Sequence, residues 1–208
     1  MLTDRLKHSD VGTDKELVGA PTQHFDEGWK RITLAAPDKN TAADTRAELL
    51  EIRRLHKNAT PGQLATAKRQ DRVDLEDEFF GLLERMGVAV PKKVKEELRT
   101  LSEELATVGL FFKDRFQRPR PNQLFKAMGL KELPEQETAK SPSYPSNHAL
   151  IGSFLADWLA ERFPEQSVAL KALGRQLGDL RVVAGSHFPS DIEAGRRLAT
   201  KLKSFYRG

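Results

Sequence analysis

From residue 41 onward, apolar side chains recur at helical spacing, and the breaks between apolar stretches fall on proline, glycine or a capping residue. Leu49, Leu50, Ile52 and Leu55 form such a stripe in residues 41–57, with Thr41 at its start. Asp44 and Glu48 lie early and Arg53, Arg54 and Lys57 late, which suits a helix dipole. At the break over 58–62, Thr60 suits an N-cap and Pro61 the first residue of the next helix. Residues 61–87 predict one broken helix or two short ones, with Phe79, Phe80, Leu82, Leu83 and Met86 supplying core. Pro91 starts a long helix to Phe116, whose buried side carries Val94, Leu98, Leu101, Leu105, Val108, Leu110, Phe111 and Phe112. The prolines of Arg118-Pro119-Arg120-Pro121 end it. Residues 122–140 connect, with a short helix around 123–128.

Ser146 then caps a strongly apolar helix over 147–163, and Pro164 breaks it. A further helix is expected over 165–184, a turn over 187–190, and a last helix opening at Pro189 or Ser190 and running to Tyr206. Residues 1–40 are polar and punctuated by glycine and proline, with one short apolar piece at 32–36. No repeat and no useful alternating pattern is present. The expectation is all-α: an irregular N-terminal arm over 1–40 and a single-domain helical bundle over 41–208.

The chain has 208 residues, enough for one domain with a sizeable core, and its 38% apolar and 31% charged content suits a soluble, mostly helical protein. Cysteine is absent, which excludes disulfides, thiolate metal sites and a cysteine nucleophile. The net charge of +4 reads as interspersed lysines and arginines on solvated helix faces. No dense basic tail argues for nucleic acid. Residues 1–10 lack an apolar signal core and no run of 18 apolar residues occurs, so the expected location is cytoplasmic, or periplasmic if a leader has been removed. His8 and His24 read as surface residues and His56 as structural or exposed. The mixed charges of 68–78 read as a solvated face, and Asp74, Glu76, Asp77 and Glu78 as its acids, not as metal ligands.

The candidate chemistry lies between Lys113 and Asp191. Lys113 and Arg120 are seven residues apart, on one side if the helix persisted, and Arg181 lies near the end of another helix. Three cations meeting at one point would match a phosphate dianion. The first amides of the helix capped by Ser146, around Asn147 and His148, would add an anion site. Asp191 follows His187 at i+4, so its carboxylate can fix one ring nitrogen and leave the other free to attack. His148, one turn inside its helix, could give a proton to a leaving oxygen.

Three elements carry a resemblance: Lys113-x6-Arg120-Pro121, Pro145-Ser146-Asn147-His148 and Arg181-x5-His187-x3-Asp191. They resemble the Lys-x6-Arg-Pro, Pro-Ser-Gly-His and Ser-Arg-x5-His-x3-Asp pattern of the type-2 phosphatidic acid phosphatase superfamily. That superfamily includes bacterial class A non-specific acid phosphatases and vanadium haloperoxidases. The chain is most similar to the soluble class A branch, over about residues 42–206. Arg118-Pro119 is a near miss with the wrong spacing from Lys113.

The resemblance implies a metal-independent phosphomonoesterase with no cofactor, acting on small phosphorylated substrates and binding phosphate or vanadate. It implies that His187 is the nucleophile, oriented by Asp191, and that His148 is the general acid and later the base. Lys113, Arg120, Ser146, Asn147 and Arg181 would hold the phosphoryl oxygens. Class A relatives suggest a homodimer without a membrane span. The alternatives are a vanadate-dependent haloperoxidase on the same anion site, or a phosphate-binding module without turnover. Two positions depart from the pattern: Asn147 stands where the family has glycine, and Leu180 where it has serine.

Overall fold

The computed structural model describes residues 18–37, 42–134 and 141–208. The expectations for His8 and for the helix start at Thr41 lie outside those residues. In chain order the helices are α1 (Ala42–Asn58), α2 (Pro61–Gln70), α3 (Leu75–Arg85), α4 (Lys92–Phe116), α5 (Pro121–Ala127), α6 (Asn147–Arg162), α7 (Ser167–Val183) and α8 (Pro189–Leu202). The all-α expectation holds. Among the described residues the only strand-like pairing is a single bridge between Phe25 and Tyr206.

Local chemistry sets the helix ends. At the start of α2, Thr60 Oγ1 accepts from the Gln63 amide at 3.2 Å while Gln63 Oε1 accepts from the Thr60 amide at 2.9 Å. That reciprocal cap, with Pro61 as first helical residue, splits the α1–α2 region where the sequence predicted. Residues 61–87 resolve into two helices because the chain turns between Gln70 and Leu75. The final helix is shorter than expected: α8 ends at Leu202 and a 3-10 turn covers Lys203–Phe205.

Helix α6 is the hub. Ten of its sixteen residues are buried, so it is apolar almost all round and must be covered on several sides. It packs against α3, α4, α7 and α8. Its approach to α7 is close because Gly152 and Gly174 face each other. A Cβ on Gly152 would sit 2.8 Å from the Gly174 carbonyl oxygen, so any side chain there would push the helices apart.

The described part of the N-terminal arm packs into the main core. Phe25 and Trp29 are fully buried, and Ile32 and Leu34 nearly so, alongside residues of α3, α4 and α6. A 3-10 turn at Glu27–Arg31, capped by Asp26, presents Trp29 inward. His24 is half-buried: its Nδ1 lies 3.3 Å from Glu104 Oε1, and Glu104 also accepts from the amides of Gln23 and His24. The mixed-charge stretch 68–78 is likewise not a plain solvated face. Gln70, Leu75, Glu76 and Glu78 are buried there, Glu78 bonds Arg69 across the α2–α3 turn, and Asp77 faces Arg99.

Candidate active site

Four segments converge on a cavity of about 170 Å³: the end of α4, the start of α5, the N-terminus of α6, and the α7–α8 turn with the end of α7. Lys113, Arg120, Asn147, His148, Arg181 and His187 all line it. Asp71, Ser141 and Ser186 complete the wall.

The cations are buried, Lys113 and Arg120 held by loop carbonyls and Arg181 by α2 and the turn after it. Lys113 Nζ donates to Pro142 O at 2.5 Å and to Ser143 O at 3.3 Å. Arg120 donates from Nε to Ser141 O (2.7 Å) and from Nη1 to Ser186 O (3.0 Å). Arg181 donates from Nη1 to Asp71 Oδ1 at 3.4 Å and from Nη2 to Ala67 O. Burial, reinforced by the Arg120 guanidinium, pushes the Lys113 ammonium well below its ordinary value. Burial also lowers Arg120 and Arg181 to about 10 each. Two donors on cavity-lining residues, Arg181 Nε and Ser186 Oγ, are buried with no partner. Such a cavity disfavours its own charge until an anion enters.

His187 is 3% exposed and sits between a carboxylate and a guanidinium. Its Nδ1 lies 3.3 Å from Asp191 Oδ2, and its Nε2 lies 3.2 Å from Arg120 Nη1. Burial and Arg120 hold the ring well below its ordinary value, so it is neutral, with Nδ1–H donating to Asp191 and the Nε2 lone pair toward Arg120. Asp191 is fully buried. Burial pushes its carboxyl up, but Arg118 and the bonds from His187 and Ser143 outweigh this and hold it below the ordinary carboxylate range. Its oxygens accept from Arg118 Nη1 (2.5 Å), the Phe188 amide (2.9 Å) and the Ser143 hydroxyl.

His148 is half-buried at the first turn of α6, with Nε2 3.2 Å from Gln70 O. Burial, then the Arg181 charge, lowers it to about 3. Ser146 lies apart from the cavity wall. It is fully buried, and its Oγ accepts from the Ala149 amide at 3.4 Å, which makes it the cap of α6. Its own amide donates to Asp191 O at 3.0 Å, tying α6 to α8 behind His187. The amides of Asn147 and His148 precede the cap bond and have no intrahelical acceptor.

The two departures are absorbed differently. The Asn147 side chain turns toward α4, where Nδ2 lies 3.4 Å from Ala106 O and Oδ1 sits over Gly109. Leu180 is buried in a small apolar cluster with Ala67 and Ala184. The sequence reading missed Arg118, Ser143 and Asp71. Arg118 is 3% exposed and also bonds Glu48 (2.8 Å) and Ser190 (2.7 Å). The doubled Arg-Pro at 118–121 was its available signal; Asp71 sits in an interhelical turn with none.

Residues 100–202 match the sequence model of the PAP2 superfamily, a narrower span than the expected 42–206. The chain is 33% identical to a non-specific acid phosphatase of Salmonella typhimurium over 116 residues, covering 53% of this chain and 46% of that protein. It is 33% identical to a non-specific acid phosphatase of Providencia stuartii over 88 residues, 42% of this chain and 36% of that protein. A lipid A 1-phosphatase of Rhizobium etli is 37% identical over 79 residues, 38% of this chain and 34% of that protein. The matched part spans less than half the length of each of these relatives. Over residues 100–202, the stretch that supplies the three cavity cations and both cavity histidines, the chain belongs to the PAP2 superfamily.

Proposed function

We propose that this protein hydrolyses small phosphate monoesters through a phosphohistidine on His187. The observation that carries this reading is the meeting of Lys113, Arg120 and Arg181 with the Nε2 edge of a carboxylate-oriented histidine in one cavity. The phosphatase names of the relatives support the reaction class.

In the first step His187 Nε2 attacks phosphorus and the phosphorus–ester oxygen bond breaks. Asp191 accepts from Nδ1–H and stabilises the cationic ring as the new bond forms. The departing oxygen takes a proton from His148. Burial, then Arg181 and Arg120, depress that ring in the free protein, and an incoming phosphate dianion offsets the two charges and raises its basicity when the proton is needed. In the second step neutral His148 removes a proton from water, whose oxygen attacks phosphorus and releases phosphate from His187. Three cations and the first amides of α6 supply positive charge to the equatorial oxygens, so the steps need no metal.

Release of p-nitrophenol from p-nitrophenyl phosphate in excess EDTA tests this. The His187→Ala variant should lose at least about 10³-fold in kcat/KM. Rapid quenching of the native protein should trap a phosphate that is stable to base and labile to acid. Vanadate, which adopts the geometry of the transition state, should inhibit. Unchanged turnover in His187→Ala would sink the assignment.

A further inference from the structure

Beyond His148 lies a second cleft of about 370 Å³, between the α2–α3 turn and α4. Asp71, Asn147 and His148 line both spaces, so the two adjoin at the N-terminus of α6. If His148 protonates the departing oxygen, the alcohol half of the substrate lies on its far side from His187, where this cleft opens.

The lining of the cleft is chemically specific. Gln70 is 1% exposed, and neither its Nε2 nor its Oε1 has a hydrogen-bond partner, although its backbone oxygen faces His148 Nε2. Native proteins rarely leave a whole carboxamide unsatisfied, because each lost bond costs on the order of 1–3 kcal/mol. Carboxylates line the same cleft: Asp74 and Glu103 at the exposed rim, and Glu76 buried and bonded by Ser102. The lining cation Arg99 has partners of its own, 3.7 Å from Asp77 and 5.7 Å over the Phe80 ring. Acids in the first turn of α3 are what any helix dipole favours, and alone they would mean no more than that. The unpartnered Gln70 carboxamide is what points to a ligand.

A cavity of cations thus adjoins a cleft lined by carboxylates and one unfilled carboxamide. We propose that this cleft seats the alcohol half of the substrate and selects an amino-alcohol phosphate, with its ammonium received by the Gln70 carboxamide oxygen and the rim acids. The inference rests on the phosphomonoesterase reading above and names its substrate class.

The test uses matched ω-aminoalkyl and ω-hydroxyalkyl phosphates with two to four carbons. Their kcat/KM ratios are measured, and their affinities are obtained by calorimetry on His187→Ala and on the native protein. At least one amine should be favoured by about 10-fold or more over its hydroxyl counterpart. Gln70→Met and the exposed substitution Asp74→Asn should each cut that ratio several-fold. Equal turnover and equal affinity within every pair would overturn the cleft assignment and leave the phosphatase reading standing. Ratios unchanged in both variants would overturn it as well. Amine-selective binding without hydrolysis of any ester would support the cleft and sink the phosphatase reading. Failure to bind any ester would overturn both.

Discussion

Arg118 holds three oxygen partners with one buried guanidinium: Asp191, Ser190 and Glu48, at 2.5, 2.7 and 2.8 Å. It also lies 4.0 Å over the Phe188 ring. Removing one member of a buried ion pair strands the other, at a cost of about 3–5 kcal/mol. Arg118→Met should therefore destabilise by that order in chemical denaturation. It should also act on catalysis through Asp191, whose carboxyl Arg118 helps to hold below the ordinary range. Without Arg118, Asp191 should titrate at higher pH, and the acid limb of the kcat/KM profile should move up with it. Lost stability with an unmoved acid limb would make Arg118 structural only. The contrast with Lys113, Arg120 and Asp191 is instructive. Those residues were legible because their spacings lie within single elements or across one turn. Arg118 meets Glu48 seventy positions away, and Asp71 meets Arg181 at a separation of 110, so no local pattern could pair them.

Helix α6 meets α4 at a contact that the Asn147 departure makes distinctive. A Cβ on Gly109 would fall 2.0 Å from Asn147 Oδ1, so the asparagine side chain occupies the space that the glycine leaves on α4. Gly109→Ala alone gains about 1 kcal/mol of helix propensity but overpacks the contact, at about 1–3 kcal/mol. It should be neutral to destabilising. In an Asn147→Gly background the clash is gone, and the same substitution should stabilise by up to about 1 kcal/mol. A double-mutant cycle in urea reads this reversal as a coupling energy, and additivity of the two changes would refute the pairing. The helices themselves were readable wherever the code is local: the Thr60 cap, the Ser146 cap, the apolar run of α6. The core role of Phe25 and Trp29 was not. They are isolated aromatics in polar sequence, and only their docking against α4 and α6 buries them.

Taken together, the buried site makes the whole fold sensitive to acid. His187 and His148 are held below their ordinary values in the folded protein, so below about pH 6.5 the unfolded chain binds protons that the folded chain refuses. Unfolding free energy should then fall as pH drops through that range, by up to about 1.4 kcal/mol per pH unit for each histidine. Asp191 adds a loss of the same sign at lower pH. Its folded value is depressed, so its contribution is present above about pH 3.9 and disappears as the pH falls toward the folded value. In the proposed mechanism catalysis pulls the other way, because His148 must be protonated to serve the leaving oxygen. The phosphate anion reconciles the two, since it neutralises the cations that add to burial in keeping the histidines uncharged. Inorganic phosphate at a hundred times its Kd should raise unfolding free energy by about 2.7 kcal/mol, and Arg181→Ala should remove most of that gain. Denaturation with and without phosphate, from pH 5 to 7.5, measures both effects. Stability flat across that range would mean that the histidines titrate as solvated groups, and a phosphate effect surviving Arg181→Ala would put the anion elsewhere.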